Sequence, residues 1–290
     1  MKNDEPTVGR RVLLRTAVLL GIAAASGLLS AGEDGPQGGA TAGAPAPGTP
    51  APAPGAPGLR PAGPPDKSYR LRPMTAEAPA GPPAAAKPAV RTRPILELPA
   101  GPDTGNAMVL TFDDGPDPRY TPAILDTLAR YGVRAMFFVC GEMATENRDL
   151  LRRIASEGHV IGNHTWTHPL IPRLSRSALE AEIGRTSEVV HQVTGQAPLW
   201  FRAPYGAWNR AAFEIGAELN MEPFAWTVDT LDWKEPGSAT IISRVLSGAG
   251  PGVVVLNHDA GGDRSQTVRA LEAYLPQLMG RGYRMTLPTR

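Results

Sequence analysis

Two adjacent carboxylates, Asp113 and Asp114, follow the apolar run Val109-Leu110-Thr111-Phe112 and precede Gly115-Pro116. A β-prone stretch that breaks into Asp-Asp-Gly-Pro places the pair where a buried strand turns, the position at which α/β proteins build catalytic groups. Successive side chains at a strand end point apart. One carboxylate can therefore bind a cation while its neighbour acts as a base, in either order. For an isolated pair the ordinary reading would be a solvated Asp-Gly turn.

The pair is not isolated. His164 and His168 flank Thr165-Trp166-Thr167 after Gly158-His159-Val160-Ile161-Gly162-Asn163, which reads as a helix end, a short strand and a turn. A spacing of four sets two imidazoles on one side of a local helical turn. With one carboxylate they form the two-histidine, one-carboxylate set that leaves coordination positions open for hydrolysis. The chain has five histidines in all, and a spaced pair after a strand is hard to explain as core packing. In Arg202-Ala203-Pro204-Tyr205-Gly206, Pro and Gly fix the backbone so that a guanidinium and an amide N–H can face a cavity, which suits orienting a carboxylate and holding a developing oxyanion. Trp226 to Trp233, with Asp229 and Asp232, and Val253 to Asp259, with His258, again bring acids or a histidine to the end of an apolar run.

These groups need elements to position them. Apolar, β-prone runs predict strands near 108–112, 134–139, 159–162, 199–202, 223–228, 252–256 and 283–287. Helical patterns fill the gaps at 121–131, 146–157, 175–193, 207–219, 238–246 and 267–278. Alternating strand and helix argue for a parallel sheet with right-handed crossovers, closed or nearly closed. Every chemical cluster then sits just after a strand, the face where barrel active sites form. The single Cys140 excludes an internal disulfide and reads as a small core residue.

Upstream, Arg10 and Arg11 precede an apolar stretch near Thr16 to Ser30, long enough for a secretory core and short for a membrane span. Residues 1–31 are read as a signal peptide with a twin-arginine flavour, and export or cell-wall association is expected, with no stable membrane insertion beyond an uncleaved signal anchor. Residues 32–98 are dominated by Pro, Ala and Gly, too poor in apolar bulk to offset ordering entropy, and read as a disordered linker. A single domain of ordinary size remains at 99–290. The net charge is +1 with no basic run, so nucleic acid is not an implied partner.

Five segments in this order, Thr111-Phe112-Asp113-Asp114-Gly115, His164-Thr165-Trp166-Thr167-His168, Arg202-Ala203-Pro204-Tyr205-Gly206, Asp229-Thr230-Leu231-Asp232-Trp233 and Leu256-Asn257-His258, resemble the polysaccharide deacetylases, carbohydrate esterase family 4 or the NodB-homology family. The likeness runs on through Thr121-Pro122-Ala123-Ile124-Leu125-Asp126 and Phe137-Phe138-Val139, covering about residues 100 to 290. Met136 stands where the family often has Thr, a packing change, and no motif residue with a chemical role is missing.

The resemblance implies a distorted (β/α) barrel and an extracytoplasmic, metal-dependent deacetylase, expected as a monomer, that removes N-acetyl groups from peptidoglycan N-acetylglucosamine or a chitin-like glycan and releases acetate. An acetylxylan esterase and a non-catalytic glycan-binding wall protein are the alternatives. It implies that Asp114, His164 and His168 hold a divalent cation, Zn2+ first and Co2+ or another ion second. Asp113 would be the base, kept ionised and aimed by Arg202, and the Tyr205 N–H would share the oxyanion. His258 would protonate the leaving nitrogen, with Asp232 raising its pKa and Asp229 as the alternative partner. Leu256 and Trp233 would line a pocket for the acetyl methyl, and Tyr205 or Trp233 would face the sugar.

Overall fold

The computed structural model describes residues 89–99, 101 and 104–290. The expected signal peptide and all of the expected linker before residue 89 lie outside the described residues. In chain order the elements are β1 (Ala107–Asp113), α1 (Thr121–Arg130), β2 (Met136–Val139), α2 (Gly141–Glu146), α3 (Arg148–Ser156), β3 (Val160–Asn163), α4 (Arg176–Thr194), β4 (Trp200–Phe201), α5 (Arg210–Glu218), β5 (Glu222–Pro223), β6 (Val228–Asp229), α6 (Ser238–Gly248), β7 (Val254–His258), α7 (Ser265–Gly280) and β8 (Arg284–Met285). The strands pair in parallel in the order β5-β4-β3-β2-β1-β7-β6, with β8 against the start of β1.

β1 is buried throughout because it is central, with β2 on one side and β7 on the other. Its period of two sorts its residues. Met108, Leu110 and Phe112 pack outward with Ile124, Leu125 and Leu128 of α1 and Leu271, Tyr274, Leu275 and Leu278 of α7. Val109 faces the barrel interior with Met136, Phe138, Trp200, Phe224 and Val254. Thr111 and Asp113 share that inner face, so the same alternation that builds the core points Asp113 inward.

The single strand expected at 223–228 is corrected to two short strands on opposite edges of the sheet. Residues 224–227 cross from one edge to the other: Phe224 N–H donates to Phe201 O (2.9 Å), Ala225 N–H to Ile95 O (2.7 Å) and Thr227 N–H to Val254 O (3.1 Å). An apolar run that spans a barrel seam has the composition of a strand without a continuous partner. The helix expected at 146–157 is α3, and the helical chain begins before it with the short α2, which was not expected. Asn147 separates the two at φ −121°, ψ 48°, and its side chain donates to Pro116 O and Met143 O, both at 3.0 Å, a local alternative to helical bonding.

The linker expectation is also corrected over its last residues. Ile95 N–H donates to Pro223 O and Leu98 N–H to Gly252 O, both at 2.8 Å, and Arg91 pairs with Glu222. Ile95 and Leu98 pack on the inner barrel cluster, so two apolar side chains in a Pro- and Ala-rich tract are enough to dock it. Close packing inside the barrel is also visible at Gly162 in β3, where a Cβ would lie 2.4 Å from the Phe138 ring. Gly162→Ala should lower unfolding free energy by about 1–3 kcal/mol, the usual range for overpacking. A chemical denaturation midpoint unchanged from the parent would contradict this.

Candidate active site

Asp113 is the last residue of β1 and is 2% exposed. Its Oδ1 accepts from Arg202 Nη1 at 2.6 Å. Burial pushes its carboxyl up to about 6 against the opposing charges of Arg202 and His258. Asp114 then takes a left-handed backbone (φ 77°). Its Oδ1 lies 3.3 Å from His168 Nε2 and 3.6 Å from His164 Nε2.

His164 and His168 do not meet through a helical turn, as their spacing predicts. Thr165 (φ 70°) and His168 (φ 57°) are both left-handed, and this irregular loop brings the rings within 4.9 Å of each other. Asn163, at the end of β3, accepts from Thr165 N–H at 2.8 Å and donates to Ile183 O. Glu182 of α4 accepts from the backbone N–H groups of Trp166 and Thr167, each at 2.8 Å. These bonds satisfy a loop that has no sheet or helix to do so. His164 Nδ1 lies 2.8 Å from Arg202 O and donates to it, which leaves the Nε2 lone pair facing both Asp114 Oδ1 and Asp113 Oδ2, each at 3.6 Å. Burial, and then His168, hold the His164 pKa well below its ordinary value. Burial also lowers that of His168 against the pull of Asp114.

Arg202 follows β4 and is fully buried, yet each of its nitrogens is used. Nη1 donates to Thr111 Oγ1 (2.8 Å) and Asp113, Nε to Phe224 O (3.1 Å) and Nη2 to Ala225 O (2.8 Å). The last two carbonyls belong to the chain that crosses the barrel seam, so Arg202 ties that crossing down and aims Asp113 with one planar group. Its guanidinium carbon also sits 4.0 Å from the Phe138 ring centroid. Tyr205 is left-handed (φ 58°) and 67% exposed, with its ring 4.5 Å from that of His168.

Opposite, His258 ends β7 beside Asp113 in the β1 register. Asp232 is buried, and its Oδ1 lies 2.6 Å from His258 Nδ1. Its Oδ2 accepts from His258 N–H (2.8 Å) and Thr267 Oγ1 (2.7 Å). Burial opposes the charge on both partners, but attraction and hydrogen bonding win: His258 rises to about 9 and Asp232 falls below its ordinary value. Of the two acids weighed as its partner, it is therefore Asp232 that touches the imidazole. Asp229 accepts instead from Leu231 N–H at 2.8 Å, and burial raises its pKa.

A cavity of about 630 Å³ joins these groups, lined by Asp113, Asp114, His164, His168, Tyr205, Asp229, Trp233, Leu256 and His258 among others. Leu256 is 3% exposed and Trp233 50%, so one forms a wall and the other stands at the rim. Glu182 and Thr267, which hold these groups, lie outside the sequence motifs; polar residues in a helix carry no spacing signal that separates a support from a surface side chain.

The donor set fits a divalent cation. One ligand atom each from Asp114, His164 and His168 lies within 4.8 Å of the others, and Asp114 Oδ1 is buried without a hydrogen-bond partner, an expensive state for a carboxylate unless a cation meets it. Imidazoles held neutral by burial are ready to ligate.

The polysaccharide deacetylase family model matches residues 100–224. The chain is 41% identical over 192 residues to a peptidoglycan-N-acetylglucosamine deacetylase of Bacillus cereus, covering 66% of this chain and 70% of that protein. It is 40% identical over 203 residues to a chitooligosaccharide deacetylase of Rhizobium leguminosarum bv. trifolii, covering 65% and 94%. Among solved structures, a peptidoglycan N-acetylglucosamine deacetylase in complex with an N-oxidanyl benzamide superposes with a TM-score of 0.63 at 38% identity, over 66% of this chain and 89% of that one.

Proposed function

This chain belongs to the polysaccharide deacetylase family and is a deacetylase hydrolase, and from that premise we propose that it removes N-acetyl groups from N-acetylglucosamine units of peptidoglycan or a chitin-like glycan, outside the cytoplasm, with a divalent cation held by Asp114, His164 and His168. The observation that carries the reading is the convergence on one cavity of the unpartnered Asp114 Oδ1 with its two imidazoles, the Asp113–Arg202 pair and the His258–Asp232 pair. Those are the parts that amide hydrolysis at neutral pH requires. The substrate class rests on the relatives named above, and the extracytoplasmic site on that substrate. Among the described residues no helix is long and apolar enough to cross a membrane.

A cation in this set, zinc by its nitrogen and oxygen donors, would acidify a water molecule and polarise the acetyl carbonyl. Asp113 takes a proton from the attacking water, and Arg202 fixes the carboxylate toward the cavity. The Tyr205 N–H supplies a hydrogen bond to the oxygen that gains charge. His258 uses Nδ1 to hold Asp232, which leaves its Nε2–H for the departing nitrogen; the C–N bond breaks, and acetate and a free amine remain. Leu256 and Trp233 accommodate the acetyl methyl, and the exposed rings of Tyr205 and Trp233 offer faces to the sugar.

The test is acetate release from chitin oligomers, peptidoglycan glycan strands and acetylxylan. Release is expected from the N-acetylated glycans, should stop when a chelator strips the protein, and should return with added zinc. Release from acetylxylan alone would transfer the site to ester hydrolysis. A protein that binds glycan without metal or acetate release would be a binding module.

A further inference from the structure

Asp114 is held in an unusual way for a residue with a side chain. Its φ of 77° is a left-handed conformation that is strained for such residues unless the surroundings enforce it. Strand β2 holds part of this turn, Asp114 N–H donating to Phe138 O at 3.1 Å and Gly115 O accepting from Cys140 N–H at 3.2 Å, and one side chain holds the rest. Asp259, the residue after β7, is 1% exposed. Its N–H donates to Asp113 O at 3.1 Å, and its Oδ1 accepts from Gly115 N–H at 3.2 Å. It thus grips the chain on both sides of Asp114. Asp259 Oδ2 accepts from Thr121 Oγ1 at 2.6 Å, and that oxygen in turn accepts from Asp117 N–H at 2.8 Å, so the grip is braced on the first turn of α1.

The fit leaves no slack. A Cβ on Gly115 would lie 2.2 Å from Asp259 Oδ2, and one on Gly261, two residues beyond Asp259, would lie 2.8 Å from Asp114 Oδ2. Asp259 itself does not line the cavity, so no substrate atom reaches it.

We infer that Asp259 is a positioning residue for the metal carboxylate, clamping the Asp113–Gly115 turn so that Asp114 is presented to His164 and His168. The inference rests on the reading that Asp114 is a ligand. A carboxylate that merely plugged the core would hold stability and nothing else. A clamp on a ligand's backbone sets how well the three donors are pre-arranged, and supports of that kind are worth about 10- to 100-fold in metal affinity.

The experiment is a zinc titration of the metal-stripped full chain against a chromogenic chelator, with thermal unfolding of each stripped variant recorded alongside. Asp259→Ala should bind zinc about 10- to 100-fold more weakly, with KM for a chitin oligomer unchanged and kcat recovering when zinc is raised to saturate the variant. Asp259→Asn keeps an oxygen for Gly115 N–H and should bind close to the parent. Parent-like affinity in folded Asp259→Ala overturns the inference, as does Asp259→Asn binding as weakly as the alanine variant. If Asp259→Ala does not fold, Thr121 decides: Thr121→Val, which removes the brace, should weaken zinc binding and Thr121→Ser should restore it, and parent-like affinity in Thr121→Val overturns the clamp. Asp114→Ala separates the two levels. Zinc held there with parent affinity defeats the ligand assignment itself, whereas zinc lost there but kept in Asp259→Ala defeats only the clamp.

Discussion

Asp113→Asn should lower kcat by about 10²- to 10⁴-fold, the range expected when a general base is lost, while the protein keeps its full complement of metal. The amide retains an oxygen for Arg202 Nη1, so the 2.6 Å contact can persist as a neutral hydrogen bond. What disappears is the charge that can take a proton from water. The same substitution leaves a fully buried guanidinium without its counter-ion, and breaking a buried pair in this way commonly destabilises by about 3–5 kcal/mol. Arg202 keeps its bonds to Thr111, Phe224 and Ala225, which limits the damage to the seam. Activity must therefore be expressed per folded, metal-loaded molecule. If Asp113 served only to neutralise Arg202, the variant would melt earlier and yet turn over within a few-fold of the parent once folded. That outcome would remove Asp113 from the chemistry.

The residues of the site were more legible than the geometry that unites them. Strand ends carry their own punctuation: Asp113-Asp114-Gly115-Pro116, Arg202-Ala203-Pro204 and Asn257-His258 each interrupt an apolar run, and β1, β2, β3, β4 and β7 lie where those runs predict. The segment 223–228 misleads because a chain crossing between sheet edges is as apolar as a strand, and nothing in its own residues says that its two ends pair with different neighbours. His164 and His168 have a helical spacing but meet through two left-handed residues, Thr165 and His168, stabilised by Glu182 within α4. Long-range support of this kind has no local pattern. The choice between Asp229 and Asp232 is similar. Leu231 between them is left-handed (φ 49°), so the chain reverses there and the two carboxylates face different groups, which residue types alone do not reveal.

The pairing of Asp232 with His258 leads to the second large effect. Folding raises the His258 pKa from its ordinary 6.5 to about 9: burial opposes the charge, and the attraction and hydrogen bond of Asp232, with the charges of Asp114 and Asp113, together outweigh it. A raised imidazole pKa stabilises the fold fully below pH 6.5, and that contribution fades as pH climbs through about 9. Asp232→Asn removes the attraction and leaves the burial. The His258 pKa should then fall, and the alkaline limb of kcat/KM should move to lower pH, because the leaving nitrogen needs a protonated imidazole. At pH 8 the variant should lose much more of its activity than at pH 6, and the decline in melting temperature between pH 6.5 and 9 should flatten. Asp229→Asn, which breaks a bond to Leu231 N–H and none to the imidazole, should leave the limb nearly in place. Zinc content should match the parent in both variants, since neither side chain belongs to the ligand set. An alkaline limb that stays put in Asp232→Asn while moving in Asp229→Asn would exchange their roles, and one that moves in neither would mean that His258 is not the acid.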